Sequence, residues 1–346
     1  MRVKWHNVMS SSKQLPGGGP QGTSLGIWSY LSQTNDNPEG ADNKDIFKFV
    51  DDKTTLEVLN LLNIGIASHN FKANIPNNIL TSNLKIPSDN LKTQDYMDKI
   101  ERWTEDKKMK VNEKKTKNLI FNFSKNYQFS TDVRLKGEHI ETLDKMKLLG
   151  TTITSDLRWN ENTSIIVKDS NKRMQFLHRA AKFTNNVWDL KKIYMLQVRS
   201  KLEQSAVVWH SSLTQKNSSD LERVQKSALK LILKEKYVDY KNALNVMKLD
   251  TLAVRREKLC LKFAKDCVRN DKLHDMFPKS RKSHLMDIRQ NSKFVVKKAR
   301  TERLQRSAVV NMQKLLNQDA LVNREILRQL NNIVPVNYDS MQSISL

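Results

Sequence analysis

The chain has 346 residues and carries 60 Lys and Arg against 37 Asp and Glu, a formal charge of +23. That length accommodates two domains with sizeable cores, and so large a basic surplus favours a polyanionic partner, nucleic acid first. No apolar run approaches the ~20 residues of a bilayer span, and Met1-Arg2-Val3-Lys4-Trp5-His6 lacks the apolar stretch of a signal peptide. The expectation is therefore an intracellular protein, nuclear or cytoplasmic, without a membrane partner.

Residues 1–45 predict a short strand, a turn at Gly17-Gly18-Gly19-Pro20, a brief helix on Leu25, Ile27, Trp28 and Leu31, and a polar loop over Asn35–Gly40. Residues 46–58 predict a β-hairpin with Asp51 and Asp52 at its tip, between Ile46-Phe47-Lys48-Phe49-Val50 and Lys53-Thr54-Thr55-Leu56. The Asn- and Ser-rich stretch 66–90 reads as a surface excursion. A helix follows from about Thr93 to Lys108, with Met97, Ile100 and Trp103 on one face. After Lys114-Lys115-Thr116-Lys117 come a strand at Asn118–Phe123, a hairpin at Val133–Ile140 turning at Lys136-Gly137-Glu138, and one strand at Leu148–Thr154.

Near Thr163 the apolar period changes from two to 3.6, and four or five helices are expected up to Asn270. Ser219-Asp220-Leu221-Glu222 reads as a capping box that starts one of them, ahead of the stripe Leu221, Val224, Ala228, Leu231 and Ile232. The two cysteines, Cys260 and Cys267, cannot form a disulfide framework. With Phe263 and Ala264 between them they read as one packed helical face. No Cys/His group has zinc spacing, and the seven histidines are scattered. Residues 279–306, with ten Lys/Arg and two acidic residues, fit a solvated, partly helical tail or a phosphate-tracking arm. The last fifteen residues are expected to fray.

Strands followed by helices make the fold class α+β. The residues that could carry chemistry are few. Adjacent aspartates are common in turns, because Asp bonds its own backbone there. A hairpin tip framed by Phe47, Phe49 and Val50 differs, since it holds two like charges together, and a hard cation such as Mg²⁺ offsets their repulsion. Paired carboxylates of this kind serve two-metal phosphoryl transfer.

In order along the chain stand Pro20-Gln21-Gly22, Phe49-Val50-Asp51-Asp52, Asn112-Glu113-Lys114-Lys115-Thr116 and Leu148-Leu149-Gly150. The helical segments Leu202–Trp209, Leu221–Ala228 and Leu252–Cys260 follow them. Together these resemble a non-LTR retrotransposon reverse transcriptase, an RNA-directed DNA polymerase, over most of residues 8–278. The resemblance implies a partial polymerase palm at 1–160, a helical thumb-like domain at 161–275 and a basic C-terminal extension at 276–346. By the same resemblance Asp51 and Asp52 ligate Mg²⁺, Lys115 sits by the nucleotide phosphates, and Pro20, Gln21 and Gly22 touch template and nucleotide. Leu149 and Gly150 would lie in a strand supporting the primer end. Lys172, Arg173 and Arg179 would contact backbone phosphates, with an RNA template and a DNA primer as partners.

The family places a further metal-binding aspartate and its fingers ahead of the Pro-Gln-Gly loop. Nineteen residues precede Pro20 here and none is acidic. The resemblance thus implies a chain that starts within the palm, with an incomplete two-metal site. It would be inactive alone unless a separate upstream polymerase segment complements it. Two other readings stay open: a non-catalytic nucleic-acid-binding remnant, and a helical interaction module on residues 163–270.

Overall fold

The computed structural model describes residues 4–5, 8–9, 46–49, 52–55, 57, 82–86, 91–109, 111–123, 127–271, 273–279 and 294–333, with backbone alone at 4–5, 8–9, 46–49, 52–55, 82–85, 127–128 and 323–333. Contacts divide the chain into two units, Met1–Asp144 and Lys145–Leu346. Helix and strand are mixed and helix predominates, in keeping with the α+β class. No helix among the described residues is long and apolar enough to cross a membrane.

In the first unit, β1 (Lys4–Trp5) pairs antiparallel with β2 (Val8–Met9), and β3 (Ile46–Phe49) with β4 (Asp52–Thr55). The expected hairpin at 46–58 is present: Phe49 faces Asp52, leaving two positions between the strands. β5 (Ser82–Ile86) runs parallel to β6 (Tyr127–Thr131). Parallel neighbours need a crossover, and α1 (Lys92–Asp106) lies within it. This helix matches its expected bounds to within two residues and buries Tyr96 and Thr104. Ile86, Leu91 and Val133 form a small core, with Met97, Phe129 and Ile140 packed on it.

Two long-range side-chain clamps secure α1. Leu91 stands at its cap position and cannot bond the free amides. Glu57 does so instead: Oε1 accepts from the Lys92 amide at 3.1 Å, and Oε2 from the Thr93 amide at 3.0 Å and the Thr93 hydroxyl at 2.7 Å. A carboxylate at a helix N-terminus satisfies orphan donors and opposes the dipole together. The Gln94 amide then mimics a strand, accepting from the Arg134 N–H at 2.8 Å and donating to its carbonyl at 3.1 Å.

β7 (Arg134–Leu135) and β8 (Glu138–His139) form the expected second hairpin. Its turn, Lys136 at φ 54° and Gly137 at φ 78°, has the left-handed pair that tight hairpins require. The strand expected at Asn118–Phe123 does not form: Asn118 makes an isolated bridge to Thr142, and residues 119–123 are irregular. Polar bonds from the Asn118 amide to the hydroxyls of Thr131 (2.7 Å) and Thr142 (3.1 Å) hold it there.

The second unit opens with another difference. Leu148–Thr154 is no single strand. β9 (Lys145–Leu148) and β10 (Thr151–Thr154) make a hairpin whose turn is Leu149 (φ 46°) and Gly150 (φ 83°). The β-branched run hides this turn, but Gly150 permits it. A Cβ there would also stand 2.6 Å from Gln204 Nε2. Asn162 ties the hairpin to the helices by accepting from the Thr152 amide at 3.1 Å.

The helices are α2 (Asn160–Phe183), α3 (Val187–Ile193, continuing through a π-helical stretch Tyr194–Arg199 and a turn Ser200–Leu202), α4 (Ala206–Trp209), α5 (Gln215–Leu233), α6 (Tyr240–Met247), α7 (Leu252–Arg269), α8 (Glu302–Gln305) and α9 (Ala308–Ile333). α5 begins one turn before the expected capping box: Thr214 is the cap and accepts from the Asn217 amide at 3.2 Å, so Ser219 lies inside the helix. Its stripe is as expected, with Leu221, Val224, Ala228 and Ile232 buried and Leu231 half-buried. Full burial of such side chains contributes about 1.5–3 kcal/mol each. Together with Leu177, Leu190, Tyr194, Leu202, Trp209 and Leu252 they form the main core.

A buried polar chain crosses that core. Tyr194 Oη donates to Gln225 Oε1 at 2.6 Å, and Gln225 Nε2 donates to Tyr240 Oη at 2.9 Å and to the Asp250 carbonyl at 3.0 Å. Tyr240 in turn donates to Glu222, which receives the Leu252 amide on both oxygens at 3.1 Å. Burial, then the neighbouring Glu222 carboxylate, holds the Tyr240 phenol far above its ordinary range.

Cys260, Ala264 and Cys267 face a second core with Phe277, Phe294, Met312, Leu315 and Leu316, so α9 docks on α7. The expected cysteine face is there, except that Phe263 points outward. Burial pushes the Cys260 thiol up to about 11. Of the basic stretch 279–306, residues 280–293 lie outside the described set and α8 lies within it. The C-terminal residues expected to fray lie outside it from 334 onward, and α9 extends to Ile333.

Candidate nucleic-acid interface

α2 has two unlike faces. Ile166, Ser170, Met174, Leu177 and Ala181 are buried. Opposite them, Lys168, Lys172, Phe176, Arg179 and Phe183 recur at intervals of three or four residues, which places them in one exposed row. Neither Lys168, Lys172 nor Arg179 pairs with a carboxylate of the described residues. The acidic residues of α2 sit at the row's end or edge and are already paired. Glu161 receives Lys145 Nζ at 2.8 Å, and Asp169 receives Lys201 Nζ at 3.3 Å. Both phenylalanines stand in solvent, Phe176 at 55% and Phe183 at 90% exposure.

Arg173, expected beside Lys172 as a phosphate contact, turns elsewhere. Its Nη1 donates to the Gln197 carbonyl at 3.0 Å, in the π-helical stretch. That bond ties α2 to α3 and gives Arg173 a structural task. Lys168 was missed by the sequence reading, although stepping four residues back from Lys172 points to it.

A second basic group gathers where α2 and α5 end. Asn217 Nδ2 donates to Asn160 Oδ1 at 2.7 Å near the starts of both helices, and Lys234 Nζ donates to Asn185 Oδ1 at 2.8 Å near their ends, so the two run parallel. Lys191 Nζ lies 5.1 Å above the Trp188 ring, and Lys230 Nζ 5.5 Å above that of Tyr237. Burial, then Arg199 and Lys248, lowers the Lys191 pKa. Cations at two aligned C-termini answer the helix dipoles, each worth ~0.3–1 kcal/mol. Lys168 and Lys172 lie mid-helix, where no dipole calls for them.

An open cleft of about 550 Å³ lies at the starts of α5 and α7, lined in part by His210, Thr214, Ser218, Glu222 and Thr251. Behind it lies Arg256, at 0% exposure, donating from Nε to His210 Nδ1 at 3.3 Å and from Nη2 to Ser218 Oγ at 3.1 Å. An imidazole that accepts at Nδ1 is neutral, and burial followed by Arg256 pushes the His210 pKa down to about 4. Glu222 in this cleft already caps α7. Most of these polar groups are bonded to one another, while Arg256 Nη1 is buried without a hydrogen-bond partner among the described residues.

Of the remaining expected site residues, Pro20, Gln21, Gly22 and Asp51 lie outside the described set, and for Asp52 only the backbone, at the head of β4, is described. The register sets the Asp52 backbone opposite Phe49 as the first residue of β4. Among the described residues no three His, Cys, Asp or Glu side chains gather as metal ligands. Lys115 is exposed on a 3₁₀ turn, Glu113–Lys115, whose Asn112 side chain accepts from its amide at 3.2 Å. Leu149 and Gly150 form the β9–β10 turn rather than part of a strand. No protein-family model, curated protein or solved structure matches the chain.

Proposed function

We propose that the chain is a template–primer-binding polypeptide of reverse-transcriptase lineage, with α2 tracking nucleic-acid phosphates. The observation that carries this reading is the row Lys168, Lys172 and Arg179, exposed and mid-helix to C-terminal, without described carboxylate partners. Unpaired cations in a row are destabilising to the free protein and gain most from a polyanion. The net charge of +23 acts in the same direction. The four ordered motifs supply the lineage. In it, Asp51 and Asp52 would hold Mg²⁺, which supplies charge stabilisation for nucleotidyl transfer, and Lys115 would approach the nucleotide phosphates.

The test is binding of the full chain to an RNA–DNA template–primer across a salt series. Each lost phosphate contact lowers the log–log salt slope by roughly 0.9 or less. Lys168→Ala/Lys172→Ala/Arg179→Ala is therefore expected to flatten that slope by about 2–3, while Arg173→Ala acts on stability. Equal slopes for the triple variant and the native chain would remove α2 from the interface. For these 346 residues tested by themselves, the expected result with Mg²⁺ is binding without primer extension, since two carboxylates position a metal pair poorly. Extension abolished by Asp51→Asn/Asp52→Asn would instead show a working polymerase.

A further inference from the structure

The same face of α2 carries a feature that phosphate tracking does not use. Phe176 and Phe183 alternate with its cations, and their rings are 55% and 90% exposed. Seven helical residues separate them, a rise of about 10.5 Å. A single exposed aromatic is ordinary on a protein surface. Two in register with three cations, on a face with no unpaired acid, are a basic–aromatic row of the sort that suits nucleic acid.

We infer that this face binds single-stranded nucleic acid, with Phe176 and Phe183 stacking on splayed bases, Arg179 meeting the phosphate between them, and Lys168 and Lys172 meeting phosphates beyond Phe176. The inference rests on the nucleic-acid reading of α2 and adds the strandedness. In a duplex the bases stack on one another at about 3.4 Å, so their faces are closed to a protein ring. A duplex would meet the cations and leave both rings in water. In a single strand every base offers a free π-face, and stacking on aromatic side chains is tolerant of sequence. The ~10.5 Å between the rings is too long for adjacent stacked bases and fits bases splayed apart along the helix. Arg179, between the rings in sequence, adds a planar cation that can also lie on a base.

The experiment uses the full chain and fluorescently labelled RNA of one sequence, single-stranded or annealed to its complement, at low and moderate salt. The inference expects the single strand to bind more tightly. Phe176→Ala and Phe183→Ala should each weaken single-strand binding by roughly tenfold and leave duplex binding unchanged. Phe→Leu at either site should restore little, because apolar area without a π-face does not stack. Lys168→Ala/Lys172→Ala/Arg179→Ala should weaken both forms together. Equal binding of the two forms, with no effect of the phenylalanine variants, would overturn the stacking inference and leave phosphate tracking intact. No binding of either form at low salt would overturn both. If Phe183→Ala instead converts a dimer to a monomer in sedimentation, the rings face a second copy of the chain and the inference fails.

Discussion

The two units hold themselves together by different means. The helical unit buries some twenty apolar side chains in one continuous core, crossed by a polar chain whose members satisfy one another. Among the described residues of the first unit, Ile86, Leu91 and Val133 form one small core cluster, and the strands come in pairs. This unit leans on long-range polar clamps, Glu57 on the start of α1 and Gln94 on β7. A large core tolerates an exposed helix face, because packing on the other side already secures the helix. A small one spends its polar side chains on architecture.

The contrast can be broken most forcefully at Trp209. It is fully buried, donates Nε1–H to the Gln204 carbonyl at 3.0 Å, and lies under the Arg256 guanidinium. Trp209→Ala should cost the helical unit about 3–5 kcal/mol, read by denaturant unfolding. A loss below about 1 kcal/mol would mean that the core is not the continuous body described.

A smaller effect separates the units by pH. His210 titrates near 4 in the folded chain and near its ordinary 6.5 when unfolded. Between those values the unfolded state binds more protons, so stability is full above about 6.5 and falls as pH drops toward 4. The loss should be on the order of 2 kcal/mol and be confined to the helical unit. His210→Gln should flatten that pH dependence, and an unchanged slope would locate the titrating group elsewhere.

The smallest change belongs to the first unit. Glu57→Ala removes the cap from α1 and should cost about 1 kcal/mol, seen as faster amide exchange at Lys92 and Thr93. Helical amides of α5 should keep their protection.

Legibility followed locality. α1, the Lys136-Gly137 turn and the α5 stripe were readable because each is set by neighbours within a turn or two. The Leu149-Gly150 turn was not, since Leu148-Leu149 leading into the β-branched run Thr151–Thr154 reads as one strand until the close approach of Gln204 is known. Glu57 gave no sign of capping a helix 35 residues away, and α5 took Thr214 rather than Ser219 because the real cap sat one turn earlier. On α2, the exposure of Lys172 and Arg179 agrees with their residue type. Only the fold shows that Arg173 also bonds the Gln197 carbonyl. Phe176 and Phe183 were passed over because an apolar residue in a helix is ordinarily counted toward the core.

The two cysteines carry a last consequence. Two turns apart on α7 and covered in part by α9, their sulfurs lie where an alkylating reagent cannot reach them, and their raised pKa values keep the reactive thiolate scarce. Labelling must wait for that contact to part. The chain thus contains its own stopwatch for the undocking of α9, readable by the mass that an alkylating reagent adds.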